Sequence, residues 1–228
     1  MKPRLKTQTK TKLTTKNIII IVACVVASVI LGFYSGDLLI GSSLVATGFI
    51  TSYLACLQKR SNFILGSINA LLLAYVAFKN NFYGSFIINI FIFAPLEIHG
   101  FFAWSRNLDK NKNVKIRKFT SIVAATVVGS CVIGSVLLGY LLTKIPTQQM
   151  AFLDSTICCI DICALVIMNL RYRESWWLWV ISGALSIVMW ATALFSGGDN
   201  AFMRSIAPIG FLIINVYGLI KWSIKTRG

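Results

Sequence analysis

The stretch ESWWLW, Glu174 to Trp179, opens the seventh of eight apolar segments in a chain of 228 residues. Trp176 and Trp179 are three residues apart, a spacing that puts both indoles on one face of a helix. Arg171 and Arg173 precede the stretch, and a long apolar run follows it. Two interpretations compete. The indoles belong either to the aromatic belt of a membrane–water interface or to a clamp that holds a flat ring.

The composition is that of a membrane protein. Hydrophobic residues make up 57% of the chain and charged residues 13%, whereas a soluble domain is about a quarter charged. The net charge of +15 lies in loops between apolar runs, so no basic face interleaved with aromatics is available for nucleic acid. Because lipid offers no hydrogen-bond partners, the apolar runs are expected to be helices.

Eight apolar runs have about the length needed to cross a membrane. They cover residues 18–33, 38–57, 62–78, 84–104, 119–142, 150–170, 176–195 and 202–222. Alternating loops put nineteen of the 22 basic residues on one side and leave Lys79, Lys144 and Arg204 on the other. Basic loops stay in the cytoplasm. The sequence therefore predicts an all-α protein with eight transmembrane helices and both termini cytoplasmic.

Part of the first half recurs in the second. Three residues have a residue of the same type 118 positions later: Phe93, Gly100 and Trp104 correspond to Phe211, Gly218 and Trp222. Upstream, an offset of 117 pairs Gly66, Ala74 and Phe78 with Gly183, Ala191 and Phe195. Three helices plus one linker helix restart in the same orientation, so the repeats are parallel, and such proteins commonly bind a solute between the repeats.

This repeat divides the chain into four parts. A basic tail and an extra helix occupy residues 1–37, and the first three-helix repeat occupies 38–104. A basic loop and the linker helix follow over 105–149, and the second three-helix repeat occupies 150–228. The predicted architecture is one N-terminal helix followed by a 3+1+3 bundle.

These motifs resemble the PnuC family of bacterial vitamin-precursor transporters, whose best-known substrate is nicotinamide riboside. The resemblance covers residues 38–222 and rests on Glu174-x-Trp176-x-Leu178-Trp179 and on the two Phe, Gly and Trp layouts. It implies a SWEET-like fold, a homotrimer in the bacterial cell membrane, and facilitated diffusion of a riboside that a cytoplasmic kinase then traps by phosphorylation. It implies no catalysis and no cofactor.

Departures from the family pattern leave the substrate open. Gly183 stands where the family usually has an acidic or amide residue, Asn89 where it often has Gln, and His99 where it has Tyr. Transport of deoxynucleosides, thiamine or riboflavin is the alternative. A binding-only subunit is a further alternative. An intramembrane enzyme would need a converging nucleophile, base or metal set, which a chain with a single histidine does not offer.

Seven residues are candidates for contact with a substrate. Polar groups inside membrane helices tend to face a partner or a water-filled path, and indoles stack on flat rings, with about 0.5–2 kcal/mol more if the ring is cationic. The candidates are Trp176, Trp179, Asn89, Glu97, His99, Asn215 and Tyr217. Hydrogen bonds that only hold helices together are the competing role for the polar members.

The spacing of these candidates carries two expectations. Asn89 and Glu97 are eight residues apart and therefore lie about 80° from alignment on an ideal helix. Asn215 and Tyr217 occupy the positions of Glu97 and His99 in the second repeat. All six cysteines lie inside apolar runs, where they are expected to be small packing residues. No metal site is expected.

Overall fold

A computed structural model describes residues 14–34, 36, 38–79, 83–109, 114–146, 148, 150–195 and 201–225. Most of the predicted basic tail, residues 1–13, and residues 80–82 between the third and fourth apolar runs lie outside the described residues. Everything below concerns the described part of the chain.

The described chain is helical and folds into eight helices, as the apolar runs predict. Their bounds are α1 Thr15–Tyr34, α2 Ile40–Cys56, α3 Asn62–Lys79, α4 83–105, α5 Ser121–Leu142, α6 Ala151–Asn169, α7 Ser175–Phe195 and α8 Ala201–Lys225. Five spans are long and apolar enough to cross a membrane, namely Thr15–Tyr34, Phe86–Ser105, Ser121–Leu142, Ala151–Asn169 and Ala207–Ile224. Shorter apolar stretches at Ile40–Cys56, Asn62–Val76 and Ser175–Met189 complete the set. The protein is thus a multi-pass membrane protein.

Helix α4 is not regular. It is α-helical over Tyr83–Ile88, π-helical over Asn89–Phe93 and α-helical again over Ala94–Ser105. The backbone N–H of Ala94 donates to the Asn89 carbonyl, five residues back. Pro95 follows directly. A proline has no N–H to donate, and its ring crowds the carbonyl four residues earlier. A wider turn just before the proline relieves that crowding, as π-bulges do elsewhere.

Two tryptophans join the halves of the chain. The indole N–H of Trp104, near the end of α4, donates to the Met168 carbonyl in α6 at 3.0 Å. The indole N–H of Trp222, near the end of α8, donates to the Ala55 carbonyl in α2 at 3.3 Å. Both side chains are fully buried, and their ring centroids lie 5.8 Å apart. Each half therefore holds the end of a helix in the other half.

A buried cluster with three tryptophans lies at the end of the molecule that carries the basic loops. Val114, in the basic loop after α4, belongs to one buried cluster with Trp104, Trp176 and Trp222. The Trp176 ring lies against Gly218 in α8. A side chain at that position would occupy the space of the ring, so the close approach of α7 and α8 depends on glycine.

Helices α1 and α5 lie at the periphery. Only Ser28 and Gly32 are buried in α1, and only Ser135 and Gly139 in α5. Helix α1 packs on α2, and α5 packs on α6. The interior is therefore formed by α2, α3, α4, α6, α7 and α8.

We expect Gly218→Ala to lower the free energy of unfolding by about 1–3 kcal/mol, the usual cost of overpacking a core. The added Cβ would lie 2.6 Å from Cε3 of Trp176, whose ring is buried and packs edge-on against Trp222. Thermal unfolding of the purified protein in detergent measures the loss.

The matched control is Gly129→Ala in α5, where an added Cβ meets nothing within 4 Å. It should leave the melting temperature unchanged or raise it, because alanine favours helix over glycine. Equal melting temperatures for the two variants would contradict the packing account.

Candidate functional site

A cavity of about 770 Å³ lies between α2, α3, α4, α6, α7 and α8, and the end of α5 also contributes to its wall. One end reaches Met168 and Trp176, beside the packed cluster at the basic loops. The other end reaches the turn between α5 and α6, where Ile145 lines the cavity and is 47% exposed. The volume falls within the few hundred to one thousand Å³ typical of small-molecule sites.

Five of the seven candidate residues line this cavity. They are Trp176, Trp179, Asn89, Glu97 and Asn215. The structure puts the other two elsewhere. His99 is exposed and is absent from the cavity wall, because it lies two residues beyond Glu97 and so faces another side of α4. Tyr217 is 41% exposed and stacks on Tyr53 with 6.3 Å between ring centroids.

The tryptophans of the opening stretch have separate environments. Trp177 is 55% exposed on the outer surface, which fits the interfacial belt. Trp176 is only 1% exposed and contacts Trp222 edge-on at 5.9 Å. Trp179 is partly buried and faces the cavity with Trp176. The belt interpretation therefore describes Trp177, whereas Trp176 and Trp179 belong to the interior.

Four buried polar atoms at the cavity have no hydrogen-bond partner among the described residues. They are Nε1 of Trp176, Nε1 of Trp179, Oε2 of Glu97 and Oγ1 of Thr51. Buried polar atoms are nearly always bonded, and each one left unpaired costs free energy. Two indole donors, one carboxyl acceptor and one hydroxyl gathered at a single cavity point to partners that a bound molecule supplies.

Other polar groups at the cavity serve the fold. Asn215 donates from Nδ2 to the Trp179 carbonyl at 3.1 Å and so ties α8 to α7. Asn69 donates from Nδ2 to the Leu44 carbonyl at 2.7 Å and ties α3 to α2. Because each uses a side-chain donor on the backbone of a neighbouring helix, it is at least partly a packing residue.

The π-helical segment corrects the expected alignment of Asn89 and Glu97. On an ideal α-helix they would lie about 80° apart, yet both line the cavity. A π-turn connects residues i and i+5 and so advances the chain by more residues per rotation. The five π-helical residues from Asn89 to Phe93 therefore remove part of the excess rotation.

Sequence reasoning missed several hydroxyl groups in the cavity wall. Thr51 in α2 and Ser182 in α7 line it, and Ser182 donates a hydrogen bond to the Asp161 carboxylate. A single hydroxyl in an apolar run gives almost no signal, because such groups usually bond to their own helix backbone. Within the described residues, no three His, Cys, Asp or Glu side chains cluster as metal ligands do.

Comparison with known proteins gives the same picture over most of the chain. Residues 38–224 match the family described as nicotinamide mononucleotide transporter. The nicotinamide riboside transporter PnuC of Neisseria mucosa is 30% identical over 200 residues, which cover 83% of this chain and 74% of the relative. The PnuC of Escherichia coli is 30% identical over 208 residues, covering 79% of this chain and 84% of the relative.

A solved structure is also similar. The crystal structure of the vitamin B3 transporter PnuC matches with a TM-score of 0.77 at 26% identity. The match covers 93% of this chain and 92% of that one. The resemblance in the tryptophan and glycine motifs is thereby confirmed, and the chain belongs to the nicotinamide mononucleotide transporter family.

Proposed function

We propose that this chain carries nicotinamide riboside across the cell membrane by facilitated diffusion. The observation that carries the proposal is the cavity, where two indole N–H groups and one carboxyl oxygen have no partner among the described residues. The indoles offer faces for a flat ring and donors for ring substituents. No step of chemistry is required of the protein. A cytoplasmic kinase that phosphorylates the riboside would prevent its return.

The lining favours a riboside over a mononucleotide. Among the described residues that line the cavity there is no Lys or Arg, whereas Glu97, Asp154 and Asp161 are acidic. A phosphate group needs basic side chains or free backbone N–H groups to replace its water. A phosphorylated ligand would meet three carboxyl groups instead. Deoxynucleosides, thiamine and riboflavin also have no phosphate group, so they stay as the alternative substrates.

We also infer a parallel 3+1+3 arrangement, in which α2–α4 and α6–α8 are equivalent triplets. The reciprocal indole bonds support it. Trp104 binds Met168, and Trp222 binds Ala55. The two donors are 118 residues apart and the two acceptors 113 residues apart, so each bond is the image of the other under exchange of the halves.

A second reciprocal pair supports the same exchange. Asn169 in α6 donates from Nδ2 to the Leu96 carbonyl in α4 at 2.7 Å. Cys56 in α2 donates from Sγ to the Ile214 carbonyl in α8 at 3.5 Å. The offsets are again 113 for the donors and 118 for the acceptors. Two pairs of hydrogen bonds thus have the same two offsets, and amino-acid composition alone does not explain that agreement.

Ring–glycine contacts indicate a different alignment of α3 with α7 from the predicted one, which paired Gly66 with Gly183 at an offset of 117. The Phe63 ring lies against Gly100, as the Trp176 ring lies against Gly218. Phe63 and Trp176 are 113 residues apart. We therefore propose an offset of 113 over the first two helices of each triplet and 118 over the third, with the difference absorbed between them.

The proposed domains are 1–37, 38–104, 105–149 and 150–228, with both termini and the basic loops in the cytoplasm. The one-sided distribution of basic residues supports this orientation. The resemblance also implies a homotrimer. Helix α5, which exposes most of its apolar surface, offers a face for another copy.

Trp179→Leu should reduce uptake of nicotinamide riboside into liposomes about tenfold, equivalent to roughly 1.4 kcal/mol of lost ring stacking and hydrogen bonding. The control is Trp177→Leu, which changes an outer indole that is 55% exposed and should leave uptake unaltered. Equal losses in both variants would argue against the cavity as the path. Wild-type protein that binds the riboside and never moves it would be a binding subunit.

Pro95→Ala should weaken riboside binding severalfold without lowering the melting temperature. The new N–H lets α4 return to regular α-helix, which is more stable, but turns Asn89 away from Glu97 by up to about 80°. Isothermal titration and thermal unfolding measure the two effects separately. Pro146→Ala, in the turn after α5, is the control. Unchanged affinity in Pro95→Ala would show that the π-helical segment has no role in binding.

Reporter fusions test the orientation. Green fluorescent protein fused after Gly228 should fluoresce, because it folds only on the cytoplasmic side. Alkaline phosphatase inserted after Pro146, next to the weakly basic turn with Lys144, should be active, because it folds only outside. The opposite pattern at either site would reject eight crossings with cytoplasmic termini.

A further inference from the structure

The cavity is acidic, yet its three carboxyl groups differ in how they are bound. Asp161 accepts a hydrogen bond from Ser182. Asp154 accepts one from Nε2 of Gln148 at 3.1 Å, at the end of the cavity near the α5–α6 turn. Both carboxylates therefore have a partner within the chain.

Glu97 has none among the described residues. Its Oε2 atom is buried and unpaired, and its carboxyl group lies directly against Gly66 in α3. Because Gly66 has no Cβ, the group fits between α3 and α4 and still borders the cavity. A carboxylate removed from water without a partner is costly, so such a group either takes up a proton or is stabilised as an anion by a cation or donor.

Indole rings and this carboxyl group border the same cavity. Trp176 and Trp179 line it from α7, and Glu97 lines it from α4. A delocalised cation is attracted both by the electron-rich faces and by a negative charge in a medium of low polarity. An uncharged ring of the same shape gains the stacking but leaves Glu97 uncompensated.

We infer that Glu97 makes this cavity selective for ligands whose ring carries a positive charge, such as a pyridinium nucleoside. The inference rests on the proposed function, since it assumes that a riboside enters the cavity. It adds a specificity that shape alone cannot supply, because loss of the charge changes the size of such a ring very little.

A pair of ligands that differ mainly in charge provides the test. Nicotinamide riboside has a cationic pyridinium ring, and its dihydro form has an uncharged ring. Dissociation constants of both are measured by isothermal titration on the purified full chain at one pH. The wild type should bind the cationic form at least about tenfold more tightly, and in Glu97→Gln that ratio should fall towards one.

Two further variants sharpen the result. Gly66→Ala keeps the charge but displaces the carboxyl group that its Cβ would meet, and it should also reduce the ratio. Glu174→Gln is a matched carboxyl-to-amide change outside the cavity wall, where Glu174 pairs with Arg173 at 2.9 Å, and it should keep the wild-type ratio.

The outcomes separate the two proposals. If the wild type binds neither form, the proposed function fails. If it binds both equally, or if Glu97→Gln keeps the full preference, the riboside site stands and the role of Glu97 is rejected. A wild-type ratio near one rejects the role of Glu97 even if a variant fails to fold, and a high ratio is assigned to Glu97 only when Glu97→Gln or Gly66→Ala lowers it.

Discussion

The buried indole N–H groups of Trp104 and Trp222 impose the constraint on which the rest of the structure depends. Buried polar groups need a hydrogen-bond partner, and neither lipid nor a packed core supplies water to them. Here the two indoles donate to the carbonyls of Met168 and Ala55, near the ends of α6 and α2, and each of these carbonyls also accepts a backbone N–H from the turn that follows its helix. Because each indole comes from the opposite half, satisfying its N–H also fixes how the halves meet.

That arrangement concentrates the packing at one end of the molecule. The two indoles are fully buried and touch each other, and Trp176 fills the space left by Gly218 beside them. The aromatic cluster closes the interior at the basic loops. The cavity begins beyond this cluster, at Met168 and Trp176. The packing of the indoles therefore also closes one end of the cavity.

The satisfaction of polar groups separates structural residues from candidates for function. Asn69, Asn169 and Asn215 each donate to the backbone of another helix, which is what a bundle needs to hold its register. The indole N–H groups of Trp176 and Trp179 do not. Residue type alone could not draw this line, since a buried asparagine and a buried tryptophan each carry a polar group that normally finds a partner.

The sequence predicts the helices well and the faces of the helices poorly. Apolar runs give eight helices because a span in lipid has a nearly fixed length. Whether a polar side chain reaches the cavity depends on rotation about the helix axis. His99 and Glu97 are two residues apart, and only Glu97 lines the cavity. The π-helical turn at Asn89 changes that rotation again, and Pro95 is its only trace in the sequence.

The same bonds limit how a carrier of this kind can move. Opening the basic end requires Trp104 to leave Met168 and Trp222 to leave Ala55. The rings of Trp104 and Trp222 are in contact. A movement large enough to break one indole hydrogen bond therefore also disturbs the other. Separation of the two halves as rigid units breaks both at once, whereas bending a single helix breaks one and strains its neighbour. The π-helical segment of α4, Asn89–Phe93, lies on the other side of Glu97 from Trp104. A ligand bound between Asn89 and Glu97 would therefore contact the part of α4 whose backbone is least regular.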